Sequence, residues 1–248
     1  LRIGPDGCIL DTFDHHHMKT LSEIDQDFVC DIQSPCFQLL SPDEVELVRA
    51  SRTQVLFRKG ENLTKQGAFA SYVLFVISGM VKQYLEGEGN RNFNLRIISQ
   101  GEFVGLTSVF GKNTFVYSSV ALTDTQVYLV EKEAMSSVIK DNSGFAFNVI
   151  KRYCEQSSML FDSVQHLAFK QMNGRMADTL LYLNSQSSDS YDVFSLLSRK
   201  DIADFAGIST ESAVKLLKAF EKEGLIQLDD KSVKLLNVKS LQEISKKG

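Results

Sequence analysis

The chain has 248 residues, 43% of them hydrophobic and 23% charged, with a net charge of −4. This composition fits a soluble globular protein of one large domain or two ordinary ones, and no apolar run approaches the roughly 18 residues of a membrane-spanning helix. Four cysteines in this length do not make a disulfide scaffold, and residues 1–20 lack the basic start and apolar stretch of a secretory leader, so the reading is cytoplasmic.

Charge is unevenly spread. Residues 198–248 hold ten Lys and Arg against eight Asp and Glu, a net of +2, leaving −6 for the remainder. An acidic body with a mildly basic tail domain suits a sequence-specific DNA binder.

Residues 1–35 read as an N-terminal extension. His15, His16 and His17 precede Met18, taken as the natural start; three adjacent histidines fit a solvated tail or tag remnant better than a metal site. Ser41, Pro42, Asp43 and Glu44 place a cap, an N1 proline and acids at a helix start. Residues 36–141 read as β structure. Short apolar runs at 55–57, 72–77, 81–85, 93–98, 103–104, 116–122 and 126–130 are cut by glycines such as Gly60, Gly79 and Gly101. Turn signals this frequent predict a sandwich or barrel, and eight strands would make a jelly roll.

The periodicity changes near Asp141. Phe147, Ile150, Cys154, Ser157, Phe161, Val164 and Ala168 recur at alternating steps of three and four, a seam of 3.5 residues. With no Pro or Gly between Phe145 and Met172, one long helix is predicted over 142–169. Its stripe fits either packing on the β domain or, as the preferred reading, a dimer interface. Gly174 is expected to break the helix, with helical pattern resuming over 175–183 and a Ser/Asp-rich loop over 184–192.

Residues 197–226 read as a helix-turn-helix. Counting from Arg199, small Ala203 falls where the two helices cross, and Gly207 falls at the tight turn, which needs positive φ. Ile208, Ala213 and Leu216 then pin the second helix. Ser209 is its N-cap, and Ala213, Leu216, Leu217 and Phe220 form its buried face. The opposite face carries Thr210, Glu211, Val214, Lys215 and Lys218. Glu can accept from cytosine, Lys can donate to guanine and Val can touch a thymine methyl; Ser209 and Arg199 are placed for phosphates. A hairpin-like piece, 225–236, follows as a wing. An ordinary helical hairpin with a solvated face is the plainer alternative. No Ser–His–Asp set, metal-spaced His/Glu pair or phosphate-cradling loop suggests an enzyme.

Three segments carry a resemblance. They are Lys59-Gly60-Glu61 through Gly101-Glu102-Phe103-Val104-Gly105, Gly174-Arg175-Met176-Ala177-Asp178 after the long helix, and Ser198-Arg199-Lys200-Asp201-Ile202-Ala203 through Gly224-Leu225-Ile226. Over residues 37–236 the chain resembles the Crp–Fnr family of bacterial transcription regulators. The implied fold is α+β: an N-terminal double-stranded β-helix (a jelly-roll of the cyclic-nucleotide-binding type) over 36–141, a dimerisation helix over 142–169, and a C-terminal winged helix-turn-helix over 170–248. The resemblance implies a homodimer on a two-fold related site in double-stranded DNA, no membrane partner, and RNA polymerase as a partner if the protein activates. It implies base contacts from Thr210, Glu211, Val214 and Lys215. Lys215 stands where the family usually has arginine, so a single ammonium replaces a bidentate fork.

The effector pocket departs from the family pattern. Members that bind cyclic AMP have a glutamate directly after the glycine matching Gly105; here it is Leu106. Their phosphate-binding arginine and hydroxyl residue correspond to Val116 and Tyr117, and their base-contacting residues on the dimer helix to Leu160 and Phe161. Burying a phosphate charge without a cation costs several kcal/mol. Cyclic AMP is therefore not the expected effector; a more apolar ligand, or closure by the protein's own side chains, is. A cyclic-nucleotide-responsive regulator and a signalling module that keeps the fold without binding DNA are the alternatives. No cofactor is expected. An iron–sulfur cluster wants four thiolates, whereas Cys30 and Cys36 have no third cysteine nearby, Cys8 lies in the tail and Cys154 on the seam. His166, a conceivable haem ligand, reads as structural.

Overall fold

The computed structural model describes residues 19–20, 37–188, 191–230 and 232–248. The expectations for Cys8, His15, His16, His17, Met18, Cys30 and Cys36 lie outside the described residues.

A two-residue strand, β1 (Lys19–Thr20), is followed by α1 (Pro42–Ala50). The Glu44 N–H donates to Ser41 Oγ at 3.3 Å and the Ser41 N–H to Glu44 Oε2 at 2.7 Å, a reciprocal capping box. Eight strands follow: β2 (Arg52–Phe57), β3 (Asn62–Thr64), β4 (Tyr72–Ser78), β5 (Val81–Glu86), β6 (Asn92–Ile98), β7 (Phe103–Val104), β8 (Ser118–Ala121) and β9 (Thr125–Glu131), with the single turn α2 (Thr107–Phe110) between β7 and β8. β3 has only Leu63 as an apolar residue, so a reading of apolar runs misses it. The run at 116–122 becomes strand only at Ser118.

Among the described residues the strands form two antiparallel sheets, ordered β1-β2-β9-β4-β7 and β3-β8-β5-β6. Alternation along β4 shows how they are used. Leu74 and Val76 point into the core between the sheets with Val81, Ile98, Ala121 and Val127. Val73 and Phe75 point to the outer side, where they meet Val48 of α1 and the helices that follow β9. On β5 and β6, Gln83 stands opposite Arg96, and Lys82 opposite Ile97. Directly opposed residues share a face, so these two pairs look to opposite sides of the sheet.

Helices α3 (Lys132–Asp141) and α4 (Ser143–Phe169) come next. Asn142 caps α4 by accepting the Phe145 N–H at 2.8 Å. The 27 residues of α4 span about 40 Å at ~1.5 Å per residue. Phe145 and Val149, near its start, are its fully buried residues. The helix ends at Lys170, whose backbone is extended, and α5 (Met172–Gln186) begins two residues on. Gly174 is thus not the breaker; it lies inside the first turn of α5. A Cβ there would meet the backbone of Gly248 at 2.9 Å, so glycine serves a close approach of chain to chain. α5 also runs one turn further than its apolar pattern, to Gln186.

The C-terminal unit comprises α6 (Val193–Leu196), α7 (Arg199–Ala206), α8 (Thr210–Lys222), the hairpin β10 (Ile226–Asp229) and β11 (Ser232–Leu235), and α9 (Val238–Lys247). Its core gathers Leu180, Leu183, Ile202, Ala203, Leu217 and Leu241, and the same cluster takes in Met80, Ile97 and Leu122 of the β domain. Polar contacts join the two units as well. Asn94 Nδ2 donates to the Asp201 carbonyl at 2.9 Å, the Ile97 N–H donates to Tyr182 Oη at 2.8 Å, and Lys82 forms an ion pair with Asp201. No helix among the described residues is long and apolar enough to cross a membrane.

Candidate nucleic-acid interface and sensor cavity

The helix-turn-helix is built by its caps. Ser198 and Asp201 form a capping box at the start of α7. Gly207 ends α7 in the left-handed region, at φ 61° and ψ 40°, where an L side chain is strained. Space adds a second reason for glycine: a Cβ at 207 would meet Leu167 Cδ2 at 2.6 Å. The Ile208 N–H then bonds back to the Ala203 carbonyl at 3.1 Å, and Ser209 starts α8 by accepting the Ser212 N–H at 3.1 Å.

α8 separates its residues as the pattern predicts. Ala213, Leu217 and Phe220 are buried and Leu216 is half-buried; Thr210, Glu211, Lys215 and Lys218 are exposed, with Val214 half-buried beside them. Lys215 and Lys218 have no ion-pair partner among the described residues. Two predicted phosphate contacts are engaged within the chain. Arg199 Nη2 donates to the carbonyl of Asp230 in the hairpin turn at 3.2 Å, and the Ser209 hydroxyl is committed to its cap and to Ser212 Oγ at 3.0 Å. Glu221 escaped the sequence reading: its Oε1 accepts the Leu228 N–H at 2.9 Å and fixes the angle between α8 and the hairpin.

Between the β domain and α4 lies a cavity of about 840 Å³ that is half open to solvent. Of the six effector-pocket candidates, Val116, Tyr117 and Leu160 line it, while Gly105, Leu106 and Phe161 do not. Leu106 is turned into the core beside Phe103 and Met135. Phe161 is 73% exposed on the outer side of α4. Gly105, at φ 80°, is covered by Phe115, whose ring a Cβ would strike at 2.6 Å. The Gly105 N–H donates to Tyr117 Oη at 2.8 Å, and burial pushes the Tyr117 hydroxyl pKa up, so it stays protonated.

One cavity residue was missed. Arg96 is a lone charge inside the apolar run 93–98, and that isolation was its signal. Its Nε donates to Gln83 Oε1 at 2.9 Å, its Nη1 pairs with Glu102, and its buried Nη2 has no partner.

The seam divides between two surroundings. Phe147, Ile150, Cys154, Phe161 and Val164 are exposed, and of the seam residues Ile150 and Ser157 also border the cavity. His166 Nδ1 lies 3.4 Å from Asp178 Oδ2, which Lys170 also reaches at 2.6 Å, so His166 belongs to the junction of α4 and α5. Among the described residues no group of His, Cys, Asp and Glu could hold a metal ion.

Two family models match this architecture, "Cyclic nucleotide-binding domain" over residues 54–142 and "Crp-like helix-turn-helix domain" over residues 174–244. The chain belongs to the Crp–Fnr family of transcription regulators. Among its relatives is the cyclic AMP receptor protein of Thermus thermophilus, 26% identical over 215 residues that cover 86% of this chain and 97% of that protein. The anaerobic regulatory protein of Bacillus subtilis is 22% identical, over 77% of this chain and 83% of that one. FixK2 of Bradyrhizobium japonicum shares the fold at a TM-score of 0.68 and 21% identity, over 78% of this chain and 96% of its own. A Crp/Fnr-family protein of Eubacterium rectale gives 0.71 at 19% identity, over 86% and 98%. As a Crp–Fnr member, the chain is a transcription regulator with a helix-turn-helix DNA-binding domain.

Proposed function

We propose that this regulator works as a homodimer joined through α4, reads a two-fold related DNA site with Thr210, Glu211, Val214 and Lys215, and does not respond to cyclic AMP. The observation that carries the reading of DNA is the face of α8: two cations without ion-pair partners beside a glutamate and a valine, on a helix held rigidly by a capped turn and a hairpin. Such a mixture reads base edges as well as backbone. RNA polymerase is a partner if the regulator activates, and the setting is the cytoplasm.

The dimer rests on α4. Phe147, Phe161 and Val164 are 68%, 73% and 63% exposed along a single 3.5-residue seam, more apolar surface than a solvated helix normally leaves open. The case against cyclic AMP rests on Gly105 and its neighbours. The amide is already bonded to Tyr117, Phe115 fills the space above it, and Leu106 supplies no acceptor for a ribose.

Selection of bound sequences from a random duplex library, followed by fluorescence anisotropy, tests the proposal. A two-fold related consensus bound by a dimer is expected; retention of only sequence-independent binding at physiological salt would overturn it. Adding cyclic AMP is expected to leave that affinity unchanged.

A further inference from the structure

The sensor cavity is walled mainly by apolar side chains, among them Leu85, Phe110 and Val116 on the β-domain side and Val149, Tyr153 and Leu160 on α4. Phe110, Val116 and Tyr153 are 62%, 53% and 50% exposed. Apolar surface left open in a concavity marks a place where something binds, and a volume of about 840 Å³ suits a small molecule. The polar groups of the wall are engaged with one another. Arg96 pairs with Glu102, and its Nε donates to Gln83 Oε1 at 2.9 Å. Its unpaired Nη2 has essentially no accessible surface, so it offers nothing to an occupant. Tyr117 Oη accepts the Gly105 N–H. Lys112 also borders the cavity, but it is exposed and keeps its charge in water.

The faces of α4 separate this cavity from the seam. Val149, Tyr153, Gln156 and Leu160 line the cavity at steps of four, three and four. The exposed seam residues Phe147, Cys154, Phe161 and Val164 are centred about 110° further round the helix, at ~100° per residue. Ile150 and Ser157 fall between the two faces. A second copy seated on the seam flanks the cavity and does not fill it.

We infer that the cavity takes a neutral, hydrocarbon-rich small molecule, held between the β domain and the inner face of α4. This rests on the readings that cyclic AMP is not the effector and that the seam joins two copies. Covering the open apolar side chains supplies the attraction. A charged ligand would leave water for a wall with no free group to receive it. The occupant bridges the β domain to the helix that carries the proposed dimer seam.

Fluorescence titration of the full chain with N-phenyl-1-naphthylamine, and with its sulfonate analogue 1-anilinonaphthalene-8-sulfonate, tests this. The two probes share a skeleton and differ by one charge. The neutral probe is expected to bind saturably, one molecule per chain, about tenfold or more tighter than the sulfonate, with a rise in Tm. Val116→Glu and Leu160→Glu put a carboxylate at exposed positions on opposite walls, and each is expected to weaken the neutral probe about tenfold or more. Phe161→Glu, on the seam, is expected to leave its affinity within about twofold, since additivity holds between separate sites. Equal or tighter binding of the sulfonate would overturn the neutral assignment. Unaltered binding by both wall variants would overturn the location, and loss of binding in Phe161→Glu would overturn the separation of the two faces. Absence of saturable binding by the neutral probe would overturn this inference while leaving the cyclic AMP reading intact. Displacement of the probe by cyclic AMP would overturn that reading, and the inference with it.

Discussion

The hydroxyl of Tyr117 accepts the backbone N–H of Gly105 at 2.8 Å, deep inside the β domain. Tyr117→Phe leaves that buried amide unpaired. A loss of about 1–3 kcal/mol is expected, read as a lower urea midpoint at unchanged m. A variant as stable as the parent would mean that the bond contributes nothing.

Gly207 and Gly224 make a matched pair of tests. Both have positive φ, 61° and 71°, but a Cβ at 207 strikes Leu167 at 2.6 Å whereas at 224 nothing lies within 4 Å. Gly224→Ala is expected to cost about 1–2 kcal/mol, the backbone strain alone. Gly207→Ala should cost slightly more, because the end of the exposed Leu167 side chain must also swing aside. Thermal unfolding of the two variants measures the difference; equal losses would remove the packing role of Gly207.

Asp201 sets a pH dependence. Burial works to raise its pKa, but the Lys82 ammonium and the Ser198 N–H and hydroxyl outweigh burial and hold it below the ordinary 3.8. The folded value is depressed, so the contribution to stability is present above the unfolded pKa and is lost as pH falls through the folded one. The window lies below about pH 4. Asp201→Asn is expected to flatten the pH profile of Tm on its acid side and to lower Tm at pH 7. An unchanged acid limb would show that other carboxylates govern it.

Phe161→Glu places a charge in the centre of the proposed seam. It is expected to weaken the dimer by about 2 kcal/mol or more, seen by sedimentation equilibrium, while the far-UV dichroism of the chain is retained. Persistence of a tight dimer would move the interface off this stripe.

Lys215→Ala is expected to weaken the specific site by about 1–3 kcal/mol and to relax the base preference at one position in each half-site. A uniform loss across all sequences would make Lys215 a phosphate contact instead.

Much of this architecture is written in local patterns. The cap at Ser41, the turn at Gly207 and the two faces of α8 depend on neighbours within four residues, so spacing alone reveals them. β3 did not show because a short strand completed by partners on β8 needs little apolar content of its own. Gly174 was misread as a helix breaker because a glycine can serve close packing as readily as a break; the contact that requires it comes from Gly248, distant in sequence. Arg96, Arg199 and Glu221 illustrate the same limit. Their identities were in view, but their partners at Glu102, Asp230 and Leu228 are brought together only by the fold. Gly105, Leu106 and Phe161 do not line the cavity for a related reason: matching positions to a family fixes their order along the chain, not the direction in which a side chain turns.

Strands β5 and β6 have a consequence of their own. Gln83 and Arg96 look into the cavity, while Lys82 and Ile97, each one residue away, hold α7 and the core behind it. The chamber and the reading head therefore share a party wall one backbone thick. Displacing this wall would pull on α7 through Lys82 and Asp201, within a single subunit.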